Sequence, residues 1–245
     1  AYGASSFEEE RQLIIENGRF LAQFDWDLSP KVGPKTLELA VEFPVQFAEA
    51  SWEVRADREA ALAAVSVEGD LLMQCSETLR NDVEVVLAAV AREGRAWKYA
   101  SPSLRSDRST VLEAVRRSRY ALQYASEELR SDKEVVLAAV EGDSLALVWA
   151  DEAFKADRDV LVKALQKQAQ EPRRIFNVLK YASPELKRDK GLVLLAVRGA
   201  ATEVAARFDY EQASSDLRRS LPWEVFEDAA KSLIAVAGED APVLQ

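Results

Sequence analysis

Residues 82–156 read DVEVVLAAVAREGRAWKYASPSLRS, DRSTVLEAVRRSRYALQYASEELRS and DKEVVLAAVEGDSLALVWADEAFKA, three blocks of 25 residues that each open on Asp. The period extends in both directions, with Asp57, Asp82, Asp107, Asp132 and Asp157 at a constant spacing of 25. The unit from Asp157 to Arg188 has 32 residues, seven extra around Gln166 to Arg174, and recovers in YASPELKRD. A further unit starts at Asp189 and degenerates toward Arg219. Weaker copies occupy residues 32–56, which end in EASWEVRA, and residues 6–31, where Gly18 and Leu28 fall at the expected offsets. Such self-similarity is the signature of a repeat architecture.

Each leading Asp predicts a helix N-cap, its carboxylate accepting from orphan amides and complementing the helix dipole. Apolar residues follow at offsets of four, five, seven and eight, as in Val86, Leu87, Ala89 and Val90. That is one helical face rather than a strand alternation. Leu112 and Val115 are accordingly expected at the centre of the core. Ala recurs at offset seven (Ala64, Ala89, Ala114, Ala139, Ala164, Ala196), where a small residue lets helices approach closely. Gly69 and Gly94 sit where this helix should stop. A second helix carries Leu72, Trp97, Leu122 and Leu147 in one column, with Tyr99, Tyr124 and Trp149 beside it. Ser101–Pro102, Ser183–Pro184 and Ser126–Glu127 then start a short third turn, anchored by Leu79, Leu104, Leu129 and Leu186.

One such unit cannot bury its faces alone, whereas stacked neighbours can. The predicted fold is all-α: an α-solenoid of about eight 25-residue helical repeats with an end-capping helix, forming one domain over residues 1–245. Within it, 6–56 are degenerate repeats, 57–156 four regular ones, 157–219 two with insertions, and 220–245 a C-terminal cap. Helix spacing of about 8–10 Å gives a length of roughly 70–80 Å.

Composition narrows the chemistry. The chain has 245 residues, 32 Lys plus Arg against 42 Asp plus Glu, and a net charge of −10. It contains no His, which excludes Ser-His-Asp and Cys-His catalysis and His metal sites. A lone Cys75 excludes internal disulfides and thiolate-held metal clusters. Strong acidity opposes nucleic-acid binding, whose affinity rests on neutralising phosphates. The longest apolar stretches, such as Leu192–Val197, run to about six residues, against roughly 20 for a bilayer span. No phosphate-loop, dinucleotide or zinc-protease motif occurs. Asp25-Trp26-Asp27 lacks a partner for acid/base work, and Glu8, Glu9 and Glu10 read as first-turn acids.

The string VVLAAV…ALQYASEELRSDKEVVLAAV resembles a tandem repeat family catalogued only as a domain of unknown function, widespread in algae and other protists and present in some bacteria. The resemblance covers about residues 57–198 and implies no activity, cofactor or catalytic residue. It implies a context in photosynthetic protists, where chains that start at a residue such as Ala1 rather than Met are often imported into an organelle and trimmed.

Four groups of residues are candidates for partner binding, one shared by the repeats and three not. Two residues before each Asp lies a cation, giving the row Arg55, Arg80, Arg105, Arg130, Lys155 and Lys187. This row is either a ladder of ion pairs between adjacent units or a basic stripe for an acidic partner or anionic headgroups. The insertion contributes Gln168, Gln170, Arg173 and Arg174, and the C-terminal segment contributes Trp223 and Phe226. The N-terminal arm Ala1–Ser6 is the third region the repeats do not share. The aromatic column is either core or a peptide or pigment groove. No catalytic residue, cofactor or metal is expected. The leading expectation is a non-catalytic interaction subunit. It would dock on other protein subunits of a large complex with a peripheral membrane contact and no nucleic acid, in a chloroplast thylakoid photosystem–antenna assembly. The alternative is a free-standing peptide-binding module, followed by an enzyme without a recognisable constellation and by a base-reading RNA solenoid.

Overall fold

A computed structural model describes residues 7–23, 34–170, 178–199, 210–220 and Trp223. Leu28, Phe226, Arg173, Arg174, Asp25-Trp26-Asp27 and the arm Ala1–Ser6 lie outside these residues. The chain is all-α, with no strand among the described residues. It divides into two compact units, Ala1–Ser126 and Glu127–Gln245.

The 25-residue unit has three parts. The first is a long helix: Arg58–Val67, Val83–Arg92, Arg108–Arg117, Lys133–Gly142, Arg158–Ala169 and Lys190–Gly199. The second is a tight stretch, 3₁₀ in Gly69–Gln74, Gly94–Tyr99, Ser144–Trp149 and Val178–Tyr181, and α-helical in Tyr120–Tyr124. The third is a short helix: Leu79–Asn81, Pro102–Ser106, Glu127–Arg130, Glu152–Lys155, Leu186–Arg188 and Ser215–Ser220. The expected second helix is thus mostly 3₁₀. Glu68, Glu93 and Asp143 take extended φ/ψ, and their amides close the preceding helix onto Ala64, Ala89 and Ala139. The chain then restarts at once. Six-residue 3₁₀ runs exceed the usual three or four. Burial of Leu72, Trp97 and Leu147, each at most 1% exposed, offsets the poorer hydrogen bonds.

The Asp residues cap as the spacing predicts. Oδ1 of Asp82 accepts from the Glu84 and Val85 amides at 2.9 and 3.2 Å, and Asp132 and Asp157 repeat the pattern. Asp189 does the same for Gly191 and Leu192. The buried face is rotated from the expected one. Offsets three, four, seven and eight are buried throughout, as in Val85, Val86, Ala89 and Val90 or Val135, Val136, Ala139 and Val140. Offset five is half-buried in Leu62, Leu112 and Leu137. Val115 is in the core at 1% exposure, whereas Leu112 sits at its margin and Val111 takes the inner place. Val111→Ala should therefore cost about 2 kcal/mol and Leu112→Ala about 1 kcal/mol. Urea titration of the two variants checks the order, and a larger loss from Leu112→Ala would refute the rotation.

Successive units are joined through the main chain. The amides of Ser76, Ser101 and Ser126 donate to the carbonyls of Arg55, Arg80 and Arg105 at 3.2, 2.8 and 2.9 Å. In the second unit Asp151, Ser183 and Ser214 donate to Arg130, Lys155 and Lys187 at 3.2, 2.9 and 2.9 Å. The Ser214 bond shows that the repeat continues past Asp189, with Leu217 N capped by Ser214 Oγ as Leu186 N is by Ser183 Oγ.

The N-terminal elements depart from the repeat. Phe7–Leu21 is one helix of 15 residues that runs through Gly18 instead of ending there. Gly18 lies against Ala63, where an added Cβ would stand 2.9 Å from both the Ala63 Cβ and its carbonyl oxygen. Its hydrogen is therefore what lets this helix seat on Arg58–Val67. Pro34–Glu49 follows with Pro44 inside it, then a short helix Trp52–Arg55 that recovers the phase. No helix among the described residues is long and apolar enough to cross a membrane.

Candidate partner-binding surface

Two ladders of charge run through the repeats, and among the described residues the arginines of only one find acids. The satisfied ladder belongs to the residue just after each Asp. Arg58 Nε donates to Asp82 at 2.8 Å and its Nη2 also pairs with Glu84. Lys133 reaches Asp157 at 2.7 Å and Arg158 reaches Asp189 at 2.9 Å. Asp57 takes its cation from the N-terminal helix, through Arg11 at 3.0 Å. The repeat supplies Val83 where a cation would face Asp107, and Asp107 turns instead to Ser109 Oγ, Thr110 N and Thr110 Oγ1. The expected ion-pair ladder therefore exists, but it is built by the cation after the Asp rather than the one before it.

These partners set the carboxyl groups. Burial alone would raise the Asp82 carboxyl, and the bonds from Arg58 and from the Val85 and Glu84 amides outweigh it and hold it below its ordinary value. Lys133 does the same for Asp157, and Arg158 with two amides for Asp189 against burial. Thr110 and Ser109 lower Asp107. A depressed native carboxyl contributes stability that is fully present above the unfolded value of about 3.9 and is lost as pH falls through the native one. Acid titration should thus weaken the fold progressively below about pH 4. Asp82→Ala should cost about 1 kcal/mol at pH 7 and less at pH 2, where wild type has lost the same interactions. Equal losses at both pH values in urea unfolding would contradict this.

The second ladder is the row two residues before each Asp. Each residue lies at or one short of the end of a short helix, and its carbonyl carries the main-chain bond to the next repeat. In the first unit this places Arg55, Arg80 and Arg105 at matching positions. Their Nε atoms are shut off from solvent and have no hydrogen-bond partner, and Arg130 in the second unit shares this geometry. None of the four has a carboxylate within ion-pair distance among the described residues. Each residue is only half-buried, so the terminal amino groups of each guanidinium stay accessible. Arg55 and Arg80 both act electrostatically on Cys75, whose thiol burial pushes up to about 12. The two lysines of the row differ. Lys155 Nζ pairs with Glu152 at 2.5 Å, and Lys187 Nζ donates to the Lys180 carbonyl at 2.7 Å.

The remaining candidates are placed as follows. Gln168 is structural in part, its Oε1 accepting from Val178 N at 2.8 Å across the insertion. Gln170 caps the helix Arg158–Ala169, is exposed, and borders a shallow cleft of about 120 Å³ with Glu141, Lys163 and Lys167. Trp223 is half-exposed and packs on Tyr210 with ring centroids 5.5 Å apart. Of the aromatic column, Trp97 is fully buried while Tyr99, Tyr124 and Trp149 are half-buried. Lys98 lies over the Tyr99 ring at 4.4 Å, and Arg95 and Arg119 over Tyr120 at 4.9 and 4.7 Å. Among the described residues no group of three or more His, Cys, Asp or Glu is arranged to hold a metal ion.

Sequence reasoning passed over two contacts. Glu10 accepts from Ser51 N and, at 2.6 Å, from Ser51 Oγ, tying the first helix to the short helix at Trp52. The Asp-Arg and Asp-Lys pairs at 57–58, 132–133 and 157–158 were the visible trace of the internal ladder.

Residues 57–105, 82–130 and 132–170 each match the family described as Domain of unknown function (DUF4116). The first two matches open on a capping Asp and close on an arginine of the row, so each takes in two of the repeats described above. No curated protein and no solved structure matches the chain. Residues 57–130 and 132–170 thus match in tandem, consistent with a repeat family described only as a domain of unknown function.

Proposed function

We propose that this chain is a non-catalytic helical-repeat interaction subunit that docks peripherally on a larger protein assembly. The observation that carries the reading is the arginine row: Arg55, Arg80, Arg105 and Arg130 recur at one position and find no acid among the described residues, in a chain of net charge −10. A cation column that served only to stabilise its own fold would be tied to acids of the chain, as Arg58, Lys133 and Arg158 are. Partners on this reading are other protein subunits. Contact with a membrane is peripheral, and the charge opposes nucleic acid. The finer setting, a plastid photosystem–antenna complex at the thylakoid, is proposed on the family resemblance alone.

Tagged full-length protein recovered from native extract tests the reading. Co-purification in fixed stoichiometry with a large complex is the expected result, seen by native mass spectrometry. Recovery of a lone chain from gently extracted material would sink it.

A further inference from the structure

The row in the first unit has a geometry that specifies more than positive charge. Ser101 N lies 2.8 Å from the Arg80 carbonyl, and Arg105 N bonds back to Ser101 O at 3.1 Å, one helical turn further on. Consecutive arginines are therefore spaced by one main-chain bond plus one turn, on the order of 10 Å. Arg55 and Arg80 are related in the same way through Ser76, whose carbonyl accepts from Arg80 N at 3.0 Å. Each guanidinium has its Nε walled in, so the stem is held and contact is left to the terminal amino groups. A fork fixed in advance loses little freedom when it pairs with a carboxylate.

We propose that Arg55, Arg80 and Arg105 bind an extended acidic segment of a partner protein whose carboxylates recur at every third residue. This deepens the docking reading above and rests on it. An extended polyproline II chain advances about 3.1 Å per residue with three residues per turn, so every third side chain returns to one face, three residues match one interval of the row and seven span all three arginines. A helix would need about fifteen residues for the same reach at 1.5 Å each. The occupant is protein rather than nucleic acid or a lipid surface because of the surrounding charge. With 42 acids against 32 bases, a densely charged polyanion or an anionic plane meets repulsion beyond the row. A segment with spaced carboxylates touches the row alone. Arg130 repeats the arrangement in the second unit, but the lysines that follow it are engaged with Glu152 and the Lys180 carbonyl.

Fluorescence anisotropy of the full chain at about 0.15 M salt tests this with two labelled decapeptides of identical composition. One carries Glu at every third position and the other carries the same Glu residues bunched at one end. The spaced peptide is expected to bind at least roughly tenfold tighter. Arg80→Gln with Arg105→Gln should remove that preference, with circular dichroism as the folding control. Arg80→Lys with Arg105→Lys, which keeps charge and fold but not the fork, should weaken binding by roughly threefold or more. No binding of the spaced peptide, equal binding of both peptides, or full binding by the Gln variant would overturn the proposal. So would tighter, arginine-dependent binding of phosphatidylserine vesicles or of an RNA oligonucleotide. Failure here with a stoichiometric native complex intact would reject the row as the dock while leaving the docking reading standing.

Discussion

Trp97→Ala is expected to lower the unfolding free energy by about 3–5 kcal/mol, the largest single loss in the first unit. Trp97 is fully buried in the 3₁₀ stretch Gly94–Tyr99, which packs against Gly69–Gln74, Val83–Arg92 and Tyr120–Tyr124. Removing the indole leaves a void bounded by three elements from three successive repeats, which cannot all close in on it. Trp97→Phe separates volume from polarity. The indole Nε1 is buried without a partner, and such a group costs about 1–3 kcal/mol. Phe loses ring volume but removes that N–H, so its net cost should be about 1 kcal/mol or less. Urea unfolding followed by far-ultraviolet circular dichroism gives both values. Similar losses for Phe and Ala would show that the N–H is satisfied in solution.

Ala89→Leu should destabilise by about 1–3 kcal/mol or more, although it adds apolar surface. Ala64, Ala89, Ala114, Ala139 and Ala164 are all 0% exposed, so a larger side chain there must be accommodated inside the stack. Gly69 presses on the same turn, where an added Cβ would stand 2.5 Å from the Ala89 carbonyl oxygen. Three extra carbons must displace a neighbouring repeat. Ala89→Gly is the companion, expected to cost about 1 kcal/mol from helix propensity alone. A Leu variant as stable as wild type would mean that the neighbouring helices are not in close contact at this column.

Much of this was legible in the chain. The period, the Asp caps, the Ala column and the buried Leu72, Trp97, Leu122 and Leu147 follow from spacing and residue type, because each repeat states them again. The half-turn detail was not. Offset three carries Ala60, Val85, Thr110, Val135 and Val160, and the polar Thr110 obscures an otherwise apolar position. Its hydroxyl is satisfied by Asp107 at 2.5 Å, which only the fold reveals. Local propensity does not separate a 3₁₀ stretch from a short α-helix, and here tertiary packing of one large side chain per turn decides. The internal charge ladder did leave a signal. Arg58, Lys133 and Arg158 stand at helix starts, where the dipole disfavours cations. A residue type that recurs against its local preference points to an acid elsewhere. The arginine row was located by spacing, but that its arginines meet no acid among the described residues depends on where the carboxylates end up.

The main-chain bond between units has a consequence for how such a chain can change over generations. It joins an amide to a carbonyl, so it survives any substitution except proline on the donor side. It also ignores contour length. The 32-residue unit keeps its bond from Ser183 to Lys155 at 2.9 Å, like that from Ser101 to Arg80 at 2.8 Å in a 25-residue unit. Added residues leave between the long helix and the 3₁₀ stretch, upstream of the joint, and the next unit is laid down in register. The array therefore has a built-in port for foreign sequence. Lineages could therefore vary the residues carried at that joint, as the natural insertion beyond Gln166 does, without renegotiating the scaffold.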